Sequence, residues 1–215
     1  VDDRLTQARE LYHAAVFGGA DSGLDLADRA LDSVEADTAL ARGRIRHARY
    51  LSARAAGEEP AEDPTELALF ERALALYEDL GDPRGTAEAQ FLVGLYHQVL
   101  RGDMDNTEPM FVRARDLALE AGDDLTRSYA LRHLAFAAQH AGRADDARAN
   151  LAESTRLRRD LGFTAGVAAN LVAEAYLADD PGAATALLDE SATLAMESGA
   201  HAVAGWVSEA RLSLG

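Results

Sequence analysis

Residues Leu131–His140 read LRHLAFAAQH. At helical spacing this stretch separates into two faces. Leu131, Leu134, Ala135 and Ala138 fall on one side and suit packing against neighbouring helices. Tyr129, Arg132, His133, Phe136 and His140 fall on the other, with Gln139 at its edge. That second face is too aromatic, and too rich in Arg and His, for an ordinary solvated surface. The pattern recurs 86 residues earlier in Ile45–Arg54, IRHARYLSAR. There Arg46, His47, Tyr50 and Arg54 match Arg132, His133, Phe136 and His140.

A longer period runs through the chain. Gly81, Gly122, Gly162 and Gly199 each close an apolar-periodic run, at spacings of 41, 40 and 37 residues. A glycine just past a helix end supplies the left-handed C-cap conformation. Eight residues before each glycine stands a small residue: Ala73, Ala114, Ser154 and Ser191. Small side chains at a fixed point let two helices approach closely, and self-similarity at this period reads as stacked helix–turn–helix units.

Composition agrees with an all-α class. Apolar residues make up 48% of the 215, mostly Ala and Leu, and β-branched and aromatic residues are scarce. The five prolines avoid every periodic run. Asp63-Pro64, Asp82-Pro83 and Asp180-Pro181 each read as an N-cap followed by proline at the first helical position, and Pro109 marks another first turn. The expected array is about five helix pairs plus a closing helix, forming a single domain over residues 1–215. The segments are Asp2–Phe17 with Leu24–Glu35, Thr38–Ala56 with Pro64–Leu80, and Pro83–Leu100 with Thr107–Ala121. Asp124–Ala141 with Ala144–Leu161 and Thr164–Ala178 with Pro181–Ser198 follow, and Ala202–Leu214 closes. The acidic loop Gly57–Asp63 is the one candidate boundary, and the repeat register continues across it.

The net charge of −16 and pI near 4.7 argue against nucleic acid and anionic membrane surfaces as partners. All 21 basic residues are Arg, a bias that fits a high-GC genome. The absence of Cys excludes disulfides, thiol catalysis and Cys-based zinc sites. No apolar run approaches the roughly 18 residues a membrane span needs. The chain begins Val1-Asp2-Asp3 with no signal-like segment, so a fragment of a cytoplasmic protein is expected.

With these elements the chain resembles the tetratricopeptide repeat family over most of its length, best across Asp63–Ser198. The family's Leu-Gly-then-aromatic pattern in helix A is loosely matched by Gly94 and Tyr96. Its Ala-then-aromatic pattern in helix B is matched by Ala73 and Tyr77. The period is near 40 residues rather than about 34, and glycine replaces the proline that usually ends helix B. The chain is more similar to the longer repeats of bacterial regulators and of stand-alone actinobacterial proteins. The resemblance implies a right-handed superhelix with A helices lining a concave face. On that face it places Arg46, His47, Tyr50 and Arg54, then Phe91, Leu95 and Gln98. Tyr129, Arg132, His133, Phe136, Gln139 and His140 follow, with Val172 and Tyr176 beyond. A one-residue shift in the middle helix exchanges Leu95 for Tyr96.

Arg with aromatic side chains suits an anionic or aromatic ligand, since guanidinium forks match carboxylate or phosphate and rings supply flat apolar area. The competing reading has Arg46 and Arg132 pairing with acids of neighbouring repeats to hold the stack. Thr38–Ala56 carries five Arg and no acid, while Glu58–Asp79 holds eight acids and one Arg, so these blocks can also neutralise each other. The six histidines include no His-x3-His pair. His133 and His140 are two helical turns apart, about 10 Å, too far to share an ion, so no metal or other cofactor is expected. His97 is expected beside Gly94 as a hydrogen-bonded core residue. Trp206 is expected to seal the core's end or a subunit contact, which leaves room for a homo-oligomer.

The expected function is a protein- or peptide-binding scaffold, its groove taking an acidic or carboxylate-bearing segment. Arg46, Arg54 and Arg132 would take the charge, and Tyr50, Phe91, Phe136 and Tyr176 the apolar side chains. Gln98 and Gln139 would bind peptide backbone. The alternative is a small-metabolite or signalling-peptide sensor domain of a regulator. A third reading, an enzyme using His133 or His140 as a base beside Tyr129 or Glu88, has no phosphate loop or nucleophile motif behind it. The chain is therefore read as a non-enzyme.

Overall fold

Aspartate caps and left-handed glycines cut this chain into helices where expected. The computed structural model describes residues 2–214, and among these the regular elements are all helical. The helices are α1 (Asp3–Gly18), α2 (Leu24–Ala55), α3 (Pro64–Leu80), α4 (Pro83–Leu100) and α5 (Glu108–Glu120). They continue as α6 (Asp124–His140), α7 (Ala144–Asp160), α8 (Thr164–Tyr176), α9 (Pro181–Glu197) and α10 (His201–Leu214). A short 3-10 turn spans Asp21–Gly23. The side chains of Asp63, Asp82 and Asp180 accept backbone N–H groups of the first turns of α3, α4 and α9. Gly81, Gly122, Gly162 and Gly199 all adopt φ between 64° and 69°, a region that favours glycine over any residue with a Cβ.

One expected break is absent. Leu24–Glu35 and Thr38–Ala56 do not form separate helices; they are one 32-residue helix, α2. Val34-Glu35-Ala36-Asp37-Thr38 contains no glycine or proline to stop it. Asp37, which could have capped a new helix, is engaged elsewhere. Its carboxylate accepts from the Tyr77 hydroxyl at 2.7 Å and pairs with Arg4 at 2.7 Å. The first half of α2 thus completes one expected pair and its second half begins the next.

The chain forms two compact units, Val1–Gly102 and Asp103–Gly215. In the first, α1, α2, α3 and α4 pack in sequence order; in the second, α5 to α10 do the same, and α10 also reaches back to α8. The Gly57–Asp63 loop lies inside the first unit.

The repeating small residues sit where helices meet. Ala73, Ala114, Ser154 and Ser191 are completely buried. The two serines also use their hydroxyls. Ser154 Oγ donates to the Ser128 carbonyl at 2.6 Å, and Ser191 Oγ donates to the Ala168 carbonyl at 2.8 Å. Each therefore ties its helix to the backbone of another while filling little volume. Gly43 marks an equally tight approach in the first unit, where an added Cβ would lie 2.4 Å from the ring of the fully buried Phe70.

Candidate aromatic and arginine site

The first unit uses most of its expected site residues for its own structure. Arg46 forms an ion pair with Asp63, the residue that caps α3. His47 is buried, its Nδ1 lying 2.9 Å from Oε1 of the fully buried Glu66. Tyr50 is half-buried, with the exposed Arg54 guanidinium 5.9 Å from its ring centre. Arg46, Arg49, Tyr50, Pro60, Ala61, Asp63 and Glu66 surround a small cavity of about 210 Å³.

Phe91, Leu95 and Gln98 were expected on an open face, but all three are buried, as is Tyr96. The run FLVGLY makes α4 apolar around most of its circumference, and such a helix is buried on all sides rather than presenting a groove face. His97 is half-buried rather than core, with Nδ1 3.3 Å from Arg101 Nη1 and its ring edge-on to Tyr96.

The second unit is different, and its key side chains lie on α6, α7, α8 and α10. As expected, Leu131, Leu134, Ala135 and Ala138 are buried. On the opposite face His133 sits between the Phe111 and Phe136 rings, at centroid distances of 5.3 and 5.4 Å. Gln139 and His140 are exposed, with His140 Nε2 3.5 Å from Asp105. Tyr129 meets Phe163 edge-on at 6.0 Å and lies 4.9 Å from the guanidinium of Arg158.

Arg132 and Arg158 form the unusual part of this unit. Neither makes an ion pair with a described carboxylate. Instead both donate from Nη1 to one acceptor, Oδ1 of the fully buried Asn170, at 2.8 and 2.9 Å. Arg132 Nη1 also donates to the Ala169 carbonyl, and Arg158 Nη1 to the Gly166 carbonyl, both at 2.8 Å. Asn170 Nδ2 donates onward to the hydroxyls of Ser154 and Thr155. Burial pulls Arg132 down to about 9, with the nearby positive charge of Arg158 adding to the effect. Burial likewise pulls Arg158 down to about 10. Both still carry their charge at neutral pH, held by carbonyl oxygens and by the faces of Phe136, Tyr129 and Phe163.

The two guanidinium groups then part company. Arg158 is almost wholly enclosed, and its Nη2 is buried without a hydrogen-bond partner. Arg132 has Nε and Nη2 left over as well, yet neither atom is sealed from solvent, and neither donates to a described protein atom. The Arg132 guanidinium lies 4.8 Å from the centre of the Phe136 ring. Together with Val172, Ala173, Tyr176, Trp206 and Glu209 these two residues line a cavity of about 300 Å³. A fixed guanidinium with two N–H groups not taken by the protein, beside aromatic walls, has the donors that a carboxylate needs for a two-pronged hydrogen bond.

Of the expected residues, Arg132, Phe136, Val172 and Tyr176 thus meet at one cavity. Trp206 does not seal the core: it is 44% exposed and forms a wall of that cavity. The apolar side of α10 is already supplied by Val203, Val207 and Ala210, which are buried, and this leaves the indole on the helix flank. Sequence reading missed Asn170, Arg158 and Glu209. A signal existed for the first, because Asn170 is the lone amide in the otherwise small and apolar GVAANLVA of α8.

Glu174 extends the Asn170 network by one step, through the Thr155 hydroxyl. Burial raises its carboxyl above the ordinary value of 4.5, and the hydrogen bond from Thr155 Oγ1, at 2.5 Å, pulls the other way. A raised native pKa means that the folded chain keeps this proton at a pH where the unfolded chain releases it. The resulting stabilisation is complete below the unfolded value and is lost as pH rises through the native one. Glu174→Gln should therefore gain stability relative to wild type between about pH 4.5 and neutrality. Urea midpoints that differ by the same amount throughout that range would contradict this.

Among the described residues no group of His, Asp and Glu is arranged to hold a metal ion, and no helix is long and apolar enough to cross a membrane. No protein-family model matches the chain, and no curated protein sequence is similar to it.

Proposed function

We propose that this chain is a tetratricopeptide-like helical-repeat binding protein, acting in the cytoplasm, whose second unit holds a carboxylate-bearing peptide or protein segment. One observation carries the reading: Arg132 is anchored through Nη1, its Nε and Nη2 donate to no described protein atom, and the residue lines a cavity together with Phe136, Tyr176 and Trp206. The other two arginines on the expected face differ from it: Arg54 is exposed beside the Tyr50 ring with no described acceptor holding it, and Arg46 has an acid partner, Asp63. The carboxylate would take Nε and Nη2 of Arg132, and an attached apolar side chain would lie against the rings. The family assignment rests on the repeating caps and small residues, and the right-handed superhelix is part of the same proposal.

A second reading, a sensor for a small organic acid, draws on the cavity volume of about 300 Å³. That is at the lower end of small-molecule sites. The two readings share one test. Thermal denaturation is followed with short peptides ending in a free carboxylate, with their C-terminal amides, and with small monocarboxylic acids. Only the free-carboxylate peptides should raise the midpoint, and Arg132→Met should weaken their binding by about tenfold to a hundredfold, the worth of a charge-assisted hydrogen bond. Equal binding of amides and acids would refute the carboxylate role. A response to the small acids alone would favour the sensor.

A further inference from the structure

The cavity lined by Arg132 also contains a charge of opposite sign that has no described partner. Glu209 lies on α10 one turn beyond Trp206, and both line the cavity. Its carboxylate is exposed and makes no ion pair or hydrogen bond with a described residue. Three aromatic residues, Phe136, Tyr176 and Trp206, share the cavity with it. Rings beside a free carboxylate are the surroundings that attract an organic cation, because the negative ring faces and the acid act together. The rest of the chain reinforces that preference. A net charge of −16 disfavours a run of acidic residues approaching Arg132, whereas it draws in a basic group.

A ligand for this cavity must therefore satisfy two charges of opposite sign across an aromatic surface. We infer that the occupant is a peptide C-terminus whose last residue is arginine or lysine. Its terminal carboxylate takes Nε and Nη2 of Arg132. Its basic side chain runs along the aromatic walls to Glu209, the stem on the rings and the head on the acid. This rests on the reading of Arg132 as a carboxylate receptor and adds the identity of the terminal side chain. Glu209 is then the specificity-determining residue. A lone acidic ligand would leave Glu209 facing the wrong sign, and an apolar terminal residue would leave it unused.

The test uses the whole chain and four probes in isothermal titration. These are N-acetylated Gly-Gly-Ala-Arg, the same peptide as its C-terminal amide, N-acetylated Gly-Gly-Ala-Leu, and free arginine. The Arg-ended acid should bind about tenfold more tightly than the Leu-ended acid, and Glu209→Gln should bring that ratio close to one. Equal or tighter binding of the Leu-ended peptide would overturn this inference while leaving the carboxylate reading in place. So would a ratio that survives Glu209→Gln. Failure of both free-acid peptides to bind would overturn the carboxylate reading itself. Free arginine binding as tightly as the peptide would overturn the assignment to a chain end.

Discussion

Asn170→Ala is expected to destabilise the second unit by about 3–5 kcal/mol, the range seen when a buried charge loses its partner. The amide is completely buried, and it is the acceptor shared by Arg132 and Arg158. It also donates to Ser154 and Thr155, so it links α6, α7 and α8 through a single side chain. Alanine would leave two guanidinium groups with one carbonyl acceptor each from Nη1 and with no carboxylate to compensate them. The small cavity created would add to the loss. The unfolding of this unit can be followed on its own, because Trp206 is the chain's single tryptophan and lies within it. A urea-induced shift of Trp206 fluorescence that changes by less than about 1 kcal/mol would show that the network is dispensable.

The second large effect is expected in the first unit. His47→Leu should cost about 3 kcal/mol, because it strips the fully buried Glu66 of its His47 contact. Oε2 of Glu66 is already buried without a hydrogen-bond partner, so Oε1 carries the polar satisfaction of the side chain. Adding Glu66→Leu to His47→Leu should recover part of the lost stability, since two apolar side chains leave no orphaned polar group behind. Chemical denaturation of both single variants and the double variant checks this. Strictly additive losses would contradict the coupling. The result also separates two roles for His47, because a residue reserved for an external ligand should be removable at little structural cost.

The helical array was legible because its boundaries depend on local chemistry. Asp63, Asp82 and Asp180 cap helices as their Asp-Pro pairs predict, and the four spaced glycines take the left-handed conformation. The continuity of α2 through Asp37 was only half legible: Val34–Thr38 lacks a glycine or proline stop, but the engagement of the Asp37 side chain is not local. That carboxylate is held by Arg4 and by Tyr77, and Tyr77 is 40 residues away in sequence. The site was only partly readable for the same reason. Periodicity placed Arg132 and Phe136 on one face of α6, and they do share a cavity. It could not place Trp206 and Glu209 beside them, because α10 reaches that position by packing back against α8. Nor could it reveal which arginines find acids. Arg46 meets the cap of α3, whereas Arg132 meets a carbonyl and an amide oxygen.

The role of Arg132 can be tested directly by nuclear magnetic resonance of arginine Nε–H groups, assigned with the Arg132→Met variant. On addition of a peptide with a free C-terminal carboxylate, the Arg132 Nε–H signal should shift toward stronger hydrogen bonding and exchange more slowly with water. The Arg46 signal, already engaged with Asp63, should stay in place. An unmoved Arg132 signal at saturating peptide would contradict the role assigned to this guanidinium. An equal response to the C-terminal amide would contradict it too.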